Sequence, residues 1–203
     1  MGNKSDNRIR EQVDRLGRPD EEMLEREIAR HERNKLYKRL AYSILTALVS
    51  VVAAIIIITN LWVAVLQVDG SSMNPLLEMD EIVIATRTDN PTKGDVIAFY
   101  HNNKIYIKRV IAIGGDRVEI NVDGEVFVNG TMSDEPYVNE LSLGDCDIEF
   151  PFQVPSETFF VLGDNRGASQ DSRNSRFGTV GKELLIGKVI FTVWPFSKIG
   201  NIT

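Results

Sequence analysis

The 203-residue sequence predicts a mainly β protein, an N-terminal membrane-spanning helix followed by a compact antiparallel β domain of sandwich or barrel type. Three observations predict it. No charged residue occurs between Arg39 and Asp69, and Leu40–Val68 is overwhelmingly apolar. From Val63 onward the chain changes to short β-rich runs separated by turn residues. No sustained helical period follows Trp62.

The apolar run comes first. Tyr42 and Trp62 stand 20 positions apart, which at ~1.5 Å per residue is ~30 Å, a bilayer core with an aromatic at each interface. The segment 39–62 is therefore expected to cross a membrane. Arg30, Arg33, Lys35, Lys38 and Arg39 precede it and only Asp69 follows closely. By the positive-inside tendency the N-terminus is cytoplasmic and 63–203 lies outside. A removed signal peptide is the alternative. Nearly 40 charge-rich residues ahead of the run, and its continuation as Ile55–Ile58 beyond Ala53-Ala54, argue against one. Residues 1–38 are expected to form a polar helical arm, with Pro19 separating two pieces.

The β domain follows. Strands are expected at Val63–Val68, Ile82–Thr86, Val96–Tyr100, Lys104–Ile113, Arg117–Asn121, Glu125–Val128, Thr158–Leu162 and Ile186–Val193. Asn102-Asn103, Asp123-Gly124 and Asn129-Gly130 are pairs suited to tight hairpins.

Composition excludes some functions. Apolar residues make up 43% and charged residues 26%, enough to build a core. The net charge of −6 divides unevenly. Residues 1–39 hold 11 basic and 9 acidic side chains, and the rest hold 12 basic and 20 acidic. A main domain of net −8 is a poor match for nucleic acid. Cys146 has no partner for an internal disulfide, and no role follows for it. His31 and His101 stand on opposite sides of the apolar run, so a histidine triad is hard to build. Asp80, Glu81 and Asp95 lack metal-loop spacing and are expected on solvated surface; no metal or organic cofactor is implied.

Three segments carry chemistry. Val68-Asp-Gly-Ser-Ser-Met-Asn-Pro75 is a shaped turn that can hold a serine beside backbone N–H groups, which suits an attacking hydroxyl. Tyr106-Ile-Lys-Arg-Val-Ile111 sets Lys108 in an apolar strand, where burial lowers a lysine pKa toward that of a general base. Leu162-Gly-Asp-Asn-Arg-Gly-Ala-Ser-Gln-Asp-Ser-Arg173 is a polar loop dense enough to brace a neighbour. Singly, each has a commoner reading: an ordinary turn, an edge-strand lysine in water, a surface loop.

Together, in this order and after a membrane helix, they resemble the bacterial type I signal peptidases, in the short form typical of Gram-positive bacteria. The resemblance runs from the apolar run to Val193-Trp-Pro-Phe196. It implies that Ser72 is the nucleophile and Lys108 the general base of a Ser–Lys dyad. The oxyanion hole falls to the Ser72 N–H and Gly70. Ser169 corresponds to a serine that hydrogen-bonds the lysine amine, and Asp171 and Arg173 to a supporting ion pair. Asp164 and Asn165 correspond to loop-structuring residues. The implied substrates are preproteins bearing signal peptides, cut after small residues at the first and third positions before the bond. The peptide is expected to add as a strand between the segment around Val68 and the strand holding Ile107, with Val68, Val83 and Ile107 lining shallow pockets. The implied partners are the lipid bilayer and the export machinery, and the implied location is the bacterial plasma membrane, single-pass. Leu76, Gly114, Gly167 and Ala168 depart from the family pattern. A dedicated peptidase for a few exported substrates, or a non-catalytic tethered module on the same fold, would share these motifs.

Overall fold

The computed structural model describes residues 8, 10, 11 and 21–202, with backbone alone for Glu21 and 58–61. Helix α1 (Glu21–Trp62) is continuous over 42 residues, with no break where the charged arm meets the apolar run. Pro19 lies outside the described residues. The described side chains of 22–57 are all exposed, and the helix is long and apolar enough to cross a membrane. The chain divides into two compact units, residues 1–57 and 58–203.

The second unit is built from strands paired only in the antiparallel sense. The larger sheet contains β1 (Val63–Gln67), β2 (Ile82–Thr86), β3 (Val96–His101), β4 (Lys104–Ile113), β9 (Thr158–Leu162), β10 (Val180–Gly181), β11 (Leu185–Trp194) and β12 (Gly200–Asn201). Its order is β1-β2-β11-β3-β4-β9-β10, with β12 also on β11. The smaller sheet has the order β7-β6-β5-β8, from β5 (Arg117–Ile120), β6 (Val126–Val128), β7 (Thr131–Met132) and β8 (Phe152–Gln153). The eight expected strands are all present to within two residues at either end. The four strands not expected are each two residues long, too short for alternation to register.

Turn chemistry explains most of the hairpins. Asn102 and Asn103 have φ of 47° and 62°, and Asn129 and Gly130 have 54° and 79°. Two residues in the left-handed region make the tight turn whose twist matches the flanking strands. Asp123-Gly124 differs from expectation, because it sits inside a five-residue loop. Asn121 Oδ1 accepts the N–H groups of Asp123 and Glu125, which shapes the loop from within, while the Asn121 N–H donates to the Glu125 carbonyl at 3.1 Å.

Strand β4 is buried continuously from Lys108 to Ala112. Its residues enter different cores. Val110 packs with Ile97, Phe99 and Val161, whereas Ile111 and Ala112 pack with Val118, Val126 and Phe160 beneath the smaller sheet. Covering on both faces forces Lys108 and Arg109, which point to opposite sides, out of water together. A third core joins Val68, Met73, Leu77, Val83, Ala85 and Val96 under the turn after β1. One surface expectation is corrected here. Glu81 is buried, and Lys198 of the C-terminal turn Phe196–Lys198 reaches it at 2.7 Å, so its charge is compensated rather than solvated. Asp80 is exposed, and Asp95 pairs with Lys188 at 2.6 Å.

Candidate active site

Two backbones face each other across a groove of about 800 Å³. One wall is Gln67–Met73, the end of β1 and the turn beyond it; the other is Lys104–Lys108 of β4. Strand β4 pairs with β3 over Lys104–Arg109 and with β9 only from Arg109 onward, so Lys104–Lys108 presents, on the side away from β3, an edge without a neighbouring strand. Gly70, in the opposite wall, has φ +104°, a conformation that an L side chain would strain.

Ser72 and Lys108 meet within the groove. Lys108 Nζ donates to Ser72 Oγ at 2.5 Å, between residues 36 positions apart in sequence. Lys108 is 2% exposed. Burial, opposed by the carboxylates of Asp171 and Asp164 and aided by the Arg173 charge, pushes its pKa down from 10.5 to about 8. An amine with that pKa is partly neutral near pH 8 and then offers a lone pair to the hydroxyl beside it. The Ser72 N–H takes part in no hydrogen bond among the described residues.

The polar loop after β9 holds this turn from behind. Asp171 Oδ2 accepts the Gly163 N–H at 3.1 Å, and its carboxylate meets Arg173 Nε and Nη2, each at 2.8 Å. Arg173 also donates to the carbonyls of Ser142, Leu143 and Arg166. The expected Asp171–Arg173 pair is thus present and fully buried, and its guanidinium ties the loop to Ser142 and Leu143 in the segment between β7 and β8. Ser169 differs from expectation. Its hydroxyl is buried without a hydrogen-bond partner, so the bond to the Lys108 amine is not formed in this geometry. The hydroxyl lies against Gly163, where a Cβ would collide with it and, at 2.5 Å, with the Ser72 carbonyl oxygen. Only glycine lets the loop and the Ser72 turn approach this closely.

The three proposed pocket residues are distributed unevenly. Val68 and Ile107 line the groove, while Val83 is completely buried in the core below it. Alternation along β2 sends Val83 inward with Ala85, toward Met73 and Leu77.

Arg109 and Arg166 were not singled out by the sequence. Arg109 makes a two-point pair with Asp164, at 2.8 and 2.6 Å, donates to the Gly94 carbonyl, and lies 3.8 Å over the Tyr137 ring. Arg166 pairs with Glu135 at 2.7 Å. The available signal was the match of an arginine in a strand buried on both faces to an acid-rich loop, since a buried guanidinium needs a carboxylate. Among the described residues no group of three His, Cys, Asp or Glu is placed to hold a metal ion.

The sequence signature described as signal peptidase, peptidase S26, matches residues 40–194. That span contains all three motifs. The chain belongs to the signal peptidase S26 family. Among its relatives, signal peptidase IB of Staphylococcus aureus strain Mu50 is 40% identical over 152 residues, 64% of this chain and 78% of that protein. The probable signal peptidase I-2 of Synechocystis is 32% identical over 148 residues, 67% of this chain and 65% of its own length. A solved structure, signal peptidase I of Enterococcus faecalis V583, aligns with 49% of this chain and 96% of its own, at 30% identity and a TM-score of 0.41. As a member of the signal peptidase family, the protein is a hydrolase that removes signal peptides, and its long apolar helix fits a membrane anchor.

Proposed function

We propose that this chain cleaves signal peptides through a covalent acyl-enzyme, with Ser72 as nucleophile and Lys108 as general base. The 2.5 Å contact between a buried lysine amine and the Ser72 hydroxyl carries the reading. A preprotein segment enters the groove as an added strand and pairs with the open edge of Lys104–Lys108 and the backbone of 67–70. Val68 and Ile107 offer shallow apolar ground for small side chains. Neutral Lys108 takes the Ser72 proton as Oγ bonds to the scissile carbonyl carbon, and the carbonyl electron pair moves onto oxygen. The Ser72 N–H, with the Gly70 backbone beside it, stabilises that oxygen. The tetrahedral centre collapses, the C–N bond breaks, and the leaving amine takes the proton held by Lys108. Lys108 then accepts a proton from the water that attacks the acyl carbon, and returns it to Ser72 Oγ as that bond breaks. Ser169, whose hydroxyl has no competing partner, is suited to receive the amine while Ser72 is acylated. Asp171 and Arg173 hold the loop that carries it.

The same reading assigns residues 1–38 to the cytoplasm, 39–62 to the membrane and 63–203 to the outer side. Ser72 stands ten residues after Trp62, a reach of ~33 Å at most, which keeps the site near the membrane surface where a signal sequence ends. The substrates are exported preproteins delivered by the export machinery.

The test is cleavage of a preprotein with an Ala-x-Ala site by the full-length protein in detergent, beside Ser72→Ala and Lys108→Ala. Loss of site-specific cleavage in both folded variants supports the dyad. Activity retained by Ser72→Ala removes Ser72 as nucleophile. A folded wild type that cuts no such substrate leaves a narrow-specificity peptidase or a tethered binding module.

A further inference from the structure

We propose that Asn165 is a positioning residue that aims the oxyanion donor of Ser72, an assignment that rests on the Ser72–Lys108 reading above. Asn165 holds two successive carbonyls of the nucleophile turn. Its backbone N–H donates to the Ser72 carbonyl at 3.1 Å, and its side-chain Nδ2 donates to the Ser71 carbonyl at 3.1 Å. A trans peptide unit is planar, so its C=O and N–H point in opposite directions. The Ser71 carbonyl and the Ser72 N–H belong to one such unit. Drawing the carbonyl toward Asn165 therefore directs the N–H away from it.

The two sides of the turn differ accordingly. Asn165 lines a polar pocket with Asn74 and Glu78, whereas Ser71 and Ser72 line the groove along Lys104–Lys108. The freed N–H thus faces the groove, and it takes part in no hydrogen bond among the described residues. A donor on the carbonyl also polarises the amide and strengthens its N–H as a donor. The Asn74 N–H donates to the Ser71 carbonyl as well, at 3.1 Å, but it belongs to the same turn and moves with it. Asn165 is instead tied to the sheet, because Asp164 beside it is paired at two points with Arg109 on β4.

The experiment compares full-length wild type, Asn165→Asp and Asn165→Ala in detergent. The aspartate is isosteric and lacks the Nδ2 donors, so it serves if the alanine variant fails to fold. We expect kcat to fall about tenfold to a hundredfold while KM stays within about twofold, because the interaction matters only when charge reaches the oxygen. Affinity for a peptide aldehyde ending in alanine, whose adduct with Ser72 places an oxygen on the same N–H, should fall by the same factor. An unchanged kcat, a change confined to KM, or a loss of kcat without loss of aldehyde affinity overturns the proposal. Ser72→Ala run alongside separates the two readings. If it keeps activity, the dyad itself fails; if it is inactive while both Asn165 variants are fully active, only the positioning role fails.

Discussion

Arg109 and Asp164 meet through two parallel hydrogen bonds, Nε to Oδ1 at 2.8 Å and Nη2 to Oδ2 at 2.6 Å, with both side chains almost fully buried. Arg109 follows Lys108 in β4, and Asp164 precedes Asn165, which holds the Ser72 carbonyl. A closed ring results: Ser72 to Lys108, Lys108 to Arg109, Arg109 to Asp164, Asp164 to Asn165, and Asn165 back to Ser72. Distant chain segments are thereby held in one geometry.

That ring makes the Arg109–Asp164 pair a sensitive point. Arg109→Met leaves a buried carboxylate unpaired, and a stability loss of about 3–5 kcal/mol is expected. Arg109→Met with Asp164→Leu should recover part of it, because no buried charge then remains uncompensated. A thermal or denaturant double-mutant cycle in detergent measures the coupling. Additive losses would mean that the pair is not coupled.

Catalysis should respond to pH through Lys108. In the proposed mechanism Lys108 must be neutral to act as base, and its pKa in the folded protein is pushed down to about 8. Log kcat/KM is therefore expected to rise with unit slope below about pH 8 and level off above it. A rise centred near the ordinary lysine value would show that burial does not activate this amine.

The same burial carries a stability cost of definite sign. The folded amine has the lower pKa, so between about 8 and 10.5 the unfolded chain binds more protons and stability increases with pH. Below that window the charged amine is disfavoured in full. Lys108→Met should thus stabilise the protein by about 1–3 kcal/mol at pH 7, with the gain shrinking toward pH 10. Melting temperatures at the two pH values check it, and an unstable Lys108→Met at pH 7 would contradict it.

Gly163 should accept no side chain. A Cβ there lies 2.5 Å from the Ser72 carbonyl oxygen, and a backbone atom cannot swing aside. Gly163→Ala is expected to cost about 1–3 kcal/mol and to lower kcat. Adding Ser169→Ala should not restore it, since the Ser72 oxygen remains in place. Ser169→Ala alone should leave the melting temperature nearly unchanged, because its hydroxyl has no partner to lose. Its kcat should nevertheless fall if the hydroxyl receives the Lys108 amine.

Much of this molecule is written locally in the chain. The apolar run before Asp69, the β-branched strands, and the Asn102-Asn103 and Asn129-Gly130 turns depend on periodicity and on φ preferences of adjacent residues. Motif order set Ser72 and Lys108 apart from ordinary turn and strand residues, and the fold brings the two side chains together. Which groups meet across the fold was not legible. Alternation separates the two faces of β4 but does not say that both are covered, so the burial of Arg109 beside Lys108 awaited the second sheet. It also left Val68 and Val83 alike, although one lines the groove and the other fills the core beneath it. Asn165 reaches Ser71 across 94 positions, and Lys198 reaches Glu81 across 117. Those partners follow from how the sheets and loops pack, because a buried polar group is satisfied by whatever the fold brings within about 3 Å, however far away it lies in sequence.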